Sequence, residues 1–293
     1  MIRPAWLLLL AAVAHAQPDA VDLLESKTLA GLHRFDSGFD GALGVAAIDL
    51  ETGRSLALNG DTAFPQASVI KIPIVVRIFQ AARAGELRLD DKTTLTARDA
   101  VGGSGRLQLE LMKGSVTLTI RELVTAMVVD SDNTATNRSI DLAGGMARIN
   151  RMLDEQGFPR TRLLRKMMDS AAAERNDENI STPNEMARLV EQIYRAKIVD
   201  AGAAREILDI MRRVHGGFEE GLPLDTGTAV KTGQIPGARG ETGIVFLPHR
   251  PFVLSVMSAF IDDRRTPVPE VVRMVYPLFE KLARSNRYGH TIR

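Results

Sequence analysis

The chain has 293 residues, 45% of them apolar and 25% charged, with 37 basic residues against 36 acidic ones. That length suits one large domain or two intertwined ones with an ample core, and charges mixed so evenly leave no basic stripe for nucleic acid. Cysteine is absent, which removes a disulfide framework and a thiol nucleophile. His33, His215, His249 and His290 stand in no metal-ligand spacing, so neither a metal nor another cofactor is expected.

The first sixteen residues read as a secretory signal peptide: Arg3, then the apolar run from Trp6 to Ala14, then the small-x-small site Ala14-His15-Ala16 before Gln17. An uncleaved anchor is the alternative. No Cys follows the site, so lipid attachment is not expected. The expectation is a secreted or periplasmic protein, monomeric, with no stable membrane anchor after cleavage.

Residues 19 to 36 place Val21, Leu24, Leu29, Leu32 and Phe35 close to helical spacing. Two short alternating runs, 43–50 and 54–59, flank Glu51-Thr52-Gly53 and predict a hairpin. Ser68 follows, and Pro73 suits the first turn of a helix running to about residue 84. From 85 to 215 the patterns are mostly helical. Thr119-Ile120-Arg121-Glu122 is a capping box ahead of an apolar helix ending at Asp130. Further helices are expected from 134 to Gly144-Gly145, over 146–156, from a second capping box at Thr182-Pro183-Asn184-Glu185 to about 196, and over 201–213. The stretch 157–182 is irregular, and a loop that long inside a compact domain is more often functional than passive. Three strands follow, 228–231, 242–247 and 252–257, and then a helix over 269–285 that Pro277 should kink. The fold class is therefore α/β of the α+β kind. An antiparallel sheet built from both chain ends (17–62 and 214–293) packs with helices, and an all-α domain (63–213) is inserted.

Three short motifs carry chemistry. Ser68-Val69-Ile70-Lys71 places a hydroxyl and an amine one helical turn apart, a nucleophile and base on a single rigid element. Taken alone that pair is weak. Ser131-Asp132-Asn133 and Lys231-Thr232-Gly233 follow in order, and all three together arise by chance roughly one time in a few thousand. With Gly103-Ser104-Gly105 ahead of the capped helix, and Thr134-Ala135-Thr136-Asn137 after the second motif, the chain resembles the penicillin-recognising active-site serine superfamily. It is most similar to class A β-lactamases, over about residues 40 to 285.

That resemblance implies Ser68 as nucleophile, Lys71 as its base and Ser131 as a proton relay. It implies Asn133 holding Lys71 and the substrate amide, and Lys231 and Thr232 binding the substrate carboxylate. The N–H groups of Ser68 and Gln234 would form the oxyanion hole. The family fold, a sheet domain with an inserted α domain, agrees with the pattern read along the chain. Two positions depart from the family. Class A enzymes carry a Glu that activates the deacylating water, and here Met167 stands in its place, with Met168 where a Pro is expected. Asp169 is the nearest carboxylate. Thr242 stands where an Arg often assists carboxylate binding, and Arg239 is the candidate substitute. Three readings stay open: a β-lactamase-like hydrolase of a β-lactam amide with an altered deacylation step, a penicillin-binding-protein-like peptidase or esterase, and a binding module for a β-lactam or peptidoglycan fragment in which acylation is the end point.

Overall fold

The computed structural model describes residues 19–262 and 266–292. The expected signal peptide lies outside the described residues. Among them, no helix is long and apolar enough to cross a membrane.

Helix α1 (Ala20–Gly38) opens with Asp19 and Asp22 exchanging backbone bonds in a capping box, and leads into strands β1 (Ala42–Asp49) and β2 (Ser55–Leu58). After the two-residue strand β3 (Phe64–Pro65), a tight 3-10 turn over Ala67–Ile70 feeds α2 (Lys71–Arg83). Ten of the thirteen α2 side chains are buried, so this helix is a core element rather than a surface one. A hairpin-like pair, β4 (Lys92–Leu95) and β5 (Val116–Thr119), brackets the short α3 (Leu107–Leu111). Helix α4 (Ile120–Val129) starts at the predicted capping box, closed in both directions between Thr119 and Glu122.

Helices α5 (Asn133–Leu142) and α6 (Met146–Glu155) follow, separated by Gly144-Gly145 as expected. The irregular stretch contains one short helix, α7 (Ser170–Glu174), and ends in β6 (Ile180–Ser181), which pairs with β3. Helices α8 (Pro183–Tyr194), α9 (Ala201–Met211) and the five-residue α10 (Gly217–Gly221) lead to β7 (Thr228–Ile235), β8 (Ala238–Val245), β9 (Phe252–Ala259) and α11 (Val268–Ala283). Helix α11 runs through Pro277 without a break in its span.

The main sheet is antiparallel in the order β2-β1-β9-β8-β7, so its strands come from both chain ends. Strands β1 and β9 are buried almost throughout, because helices cover both faces. Gly44, opposite Met257, meets Phe64 and Pro183 of the α8 side. Phe252, an odd number of residues from Met257, faces the other way and stacks on Phe279 of α11 at a centroid distance of 4.0 Å.

Two expectations need correction. The segment 63–213 is not all helical: β3, β4, β5 and β6 fall inside it, and its α8 packs on β1, β8 and β9 of the main sheet. The short threonine-rich runs Lys92–Leu95 and Val116–Thr119 are too brief to give a visible alternation, and their pairing supplies the rest. The second capping box is only half formed. Thr182 accepts from the Glu185 N–H, but the Glu185 carboxylate turns away to the Arg160 N–H and the Thr161 hydroxyl (2.7 Å). A buried carboxylate goes where the most donors are, and the 157–182 loop presents them.

Candidate active site

The site is assembled from the 3-10 turn before α2, the start of α5 and the edge strand β7. Ser68 sits in the turn, one residue after Ala67, which is held at φ 43°. A non-glycine residue there is strained, and the surroundings fix it: Gln66 N–H donates to Asn179 O and Val69 N–H to Gln66 O. On the other side the turn is pressed against β7 at Gly233. A Cβ there would lie 2.7 Å from Gln66 O and 2.9 Å from the nitrogens of Ser68 and Val69. The glycine of the third motif thus admits the backbone of Ser68 and its neighbours.

Lys71 begins α2 and is fully buried. Its Nζ donates to Ser131 O at 2.6 Å, Ser131 Oγ at 3.1 Å and Asn133 Oδ1 at 3.2 Å. Lys231, also buried, reaches the same hydroxyl from β7, at 3.3 Å from Ser131 Oγ, and donates to Thr232 O. Burial, and then the charge of Lys231, hold the Lys71 amine well below the ordinary lysine range, against a smaller opposing pull from Asp132. Burial also brings Lys231 down to about 8, with Glu241 pulling the other way. Two cations cannot share one buried hydroxyl cheaply, and the charge of Lys231 disfavours a proton on Lys71.

Ser131 takes φ 52° between α4 and α5, which aims its hydroxyl between the two lysines. Asp132 is the cap of α5 and the anchor of the facing loop: its carboxylate accepts from Ala135 N–H (2.8 Å) and Leu107 N–H (2.9 Å). Gly105, at φ +96°, is required there, since a Cβ would fall 2.1 Å from Asp132 Oδ2. Asn133 spends one amide N–H on Gly102 O.

Ser68, Ser131, Thr232, Gln234 and Arg239 line one cleft of about 330 Å³. The sequence-predicted residues Ser68, Lys71, Ser131, Asn133, Lys231, Thr232 and Gln234 are therefore brought together, with Arg239 in the cleft wall. Thr242, opposite Lys231 in the ladder, is buried outside the cleft and bonded to Ser255 Oγ at 2.8 Å. The cleft wall also holds residues that no motif announced, Glu220, Glu241 and Val268 among them. Glu241 lies across the ladder from Thr232, and burial pushes its carboxyl up to about 7.

The 157–182 loop does not bring its acid in. Asp169 is exposed and its carboxylate caps α7 by accepting from Ala172 N–H (3.0 Å), so the shifted register in which it reaches a site water is not the one adopted. Met167 instead is fixed by its main chain: its N–H donates to Asn137 Oδ1 (2.8 Å) and its carbonyl accepts from Asn137 Nδ2 (3.1 Å). The Met167 side chain is buried, while Met168, at φ 63°, is exposed and lies beside Gly103. Among the described residues no cluster of three or more His, Asp or Glu side chains could hold a metal ion.

The Beta-lactamase enzyme family matches residues 27–271. Among solved structures, a leucine-to-glutamate mutant of PBP-A in acyl-enzyme complex with penicillin G is 31% identical, covering 89% of this chain and 97% of that one at a TM-score of 0.79. A tryptophan-to-aspartate mutant of the class A β-lactamase of the last common ancestor of Gram-negative bacteria is 29% identical over 88% of this chain and 99% of that one, at 0.78. A β-lactamase from Chitinophaga pinensis, 24% identical over 86% and 98% at 0.79, shares the fold. With the three motifs inside the matched span and folded into one cleft, the chain belongs to the Beta-lactamase enzyme family, as a class A β-lactamase-like serine hydrolase.

Proposed function

We propose that this chain is an exported, monomeric serine hydrolase that is acylated on Ser68 by a small cyclic amide of the β-lactam kind. The observation that carries the reading is the meeting of two buried amines, Lys71 and Lys231, on the one hydroxyl of Ser131 at the edge of the Ser68 cleft. Neutral Lys71 takes the proton of Ser68, whose Oγ then adds to the substrate carbonyl carbon. Negative charge collects on the carbonyl oxygen, where the N–H groups of Ser68 and Gln234 stabilise it, a contribution of about 3 kcal/mol per donor. As the C–N bond breaks, the leaving nitrogen takes a proton from Ser131, which is replenished by Lys71. Lys231, Thr232 and Arg239 hold the substrate carboxylate, and Asn133 its amide.

Release of the acyl group needs water to lose a proton. The thioether of Met167 cannot accept it, and Asp169 caps α7. This observation favours a second reading of the same chemistry, in which the acyl-enzyme is long-lived and the protein acts as a penicillin-binding-protein-like peptidase or esterase. The relative solved as a penicillin G acyl-enzyme supports acylation in either case. Intact-mass spectrometry after mixing with a penicillin tests both. An adduct on Ser68 that forms and decays supports the hydrolase, a lasting adduct supports the second reading, and no adduct with any β-lactam would sink both.

A further inference from the structure

Glu241 is a carboxylate that acylation does not use, yet it stands in the wall of the same cleft. It is directly opposite Thr232 in the β7–β8 ladder, and opposed residues put their side chains on one face. Arg239, two residues away on β8, shares that face. Glu241 is 3% exposed, and its two oxygens accept from Gly217 N–H (2.8 Å) and Phe218 N–H (3.0 Å). The chain before β7 is shaped around it: a Cβ on Gly216 would lie 2.6 Å from both carboxylate oxygens and from Thr232 Cγ2. A buried acid held this firmly beside the residue proposed to receive the substrate's carboxylate must affect that carboxylate.

We propose that Glu241 is a specificity-determining residue: neutral, it lets the subsite at Thr232 accept the carboxylate of an anionic substrate, and ionised, it turns that substrate away. The inference rests on acylation at Ser68. The charged groups around Glu241 are Lys231 from β7, Glu219 and Glu220 from α10, and Arg239 on its own strand. Its β9 partner, Val256, and the α11 residue in the cleft wall, Val268, carry no charge. Burial outweighs the two backbone donors and Lys231, and Glu219 adds to it, so Glu241 changes charge at about 7. A second anion a few ångströms away in a partly screened cleft weakens carboxylate binding by about ten- to a hundredfold.

The test compares acylation of the full chain by benzylpenicillin, ionised at every pH used, and by its methyl ester. Taking the ratio of the two second-order rates cancels the Lys71 and Ser131 steps that both share. The ratio is expected to fall about threefold between about pH 6 and 7.5, the part of a change centred near 7 that lies below the loss of charge on Lys231. In Glu241→Gln the fall disappears from that interval, and at pH 7.5 the ratio exceeds that of the unaltered protein. A flat ratio in the unaltered protein overturns the proposal whether or not the variant folds. So does a lower ratio in Glu241→Gln, which would mean that Glu241 only supports the charge of Lys231. Acylation by neither compound would remove the Ser68 reading and this inference with it, whereas acylation by both at a pH-independent ratio removes this inference alone.

Discussion

Replacing Gly233 by Ala places one methyl group between β7 and the Ser68 turn. Its nearest neighbours, at 2.7 and 2.9 Å, are backbone atoms of Gln66, Ser68 and Val69, which cannot rotate out of the way. Ordinary contact begins at 3.4 Å, so strand and turn must separate by about 0.7 Å. Overpacking of this kind costs about 1–3 kcal/mol. For a chain of this size that is a fall in Tm of about 2–5 °C. The larger effect is on chemistry, since a displacement approaching 1 Å at a reacting centre costs about a hundredfold in rate. Stopped-flow acylation by a penicillin, with a thermal melt on the same preparation, measures both. Gly233→Ala acylating within about threefold of the unaltered protein, at an unchanged Tm, would refute the claim that contact between turn and strand sets the geometry of Ser68.

Three further outcomes are expected. Lys71→Arg keeps a cation that can reach Ser131 but cannot lose its proton, so acylation should fall by about a thousandfold or more while the fold survives, as read by rate and by circular dichroism. Met167→Glu places a carboxylate on a main chain that Asn137 already clamps, and the Ser68 adduct should decay about tenfold faster or more by intact mass. Stability should also depend on Glu241. Its folded pKa is raised, so its stabilising share is present below its ordinary 4.5 and lost as pH rises through about 7. Glu241→Gln, which has no charge to lose, should gain on the unaltered protein by up to about 3 kcal/mol between pH 4.5 and pH 8 in paired denaturant titrations.

What the sequence made legible is what local chemistry dictates. The box at Thr119 and the paired glycines after α5 bound helices through contacts within a few residues, and the three motifs name the atoms that must meet. Sequence order said that Ser68, Ser131 and Lys231 belong together, but not that Gly233 lies against the Ser68 turn. Glu241 stayed hidden because a lone acid on a strand looks solvent-facing. Only the register with Thr232 and the return of the chain at Gly217 bury it. The Glu185 box half-failed for the same reason: its competing donors, Arg160 and Thr161, are remote in sequence. Asp169 misled through proximity alone, since a residue next to the expected position can still point to a helix terminus.

The strand order has a consequence for how the molecule is made. Ala42 pairs with Ala259, so the inner edge of β1 stays open until a partner more than two hundred residues away in sequence reaches it. Until β9 pairs, only β2 flanks β1, and an unpaired apolar edge invites association with other partly folded chains. Closing the sheet is a long-range event and therefore slow. The Ser68 turn comes early in the chain but rests against β7, so its geometry depends on a strand about 160 residues further on. A fragment ending before residue 228 would carry Ser68, Lys71 and Ser131 and still lack the surface that holds them in place.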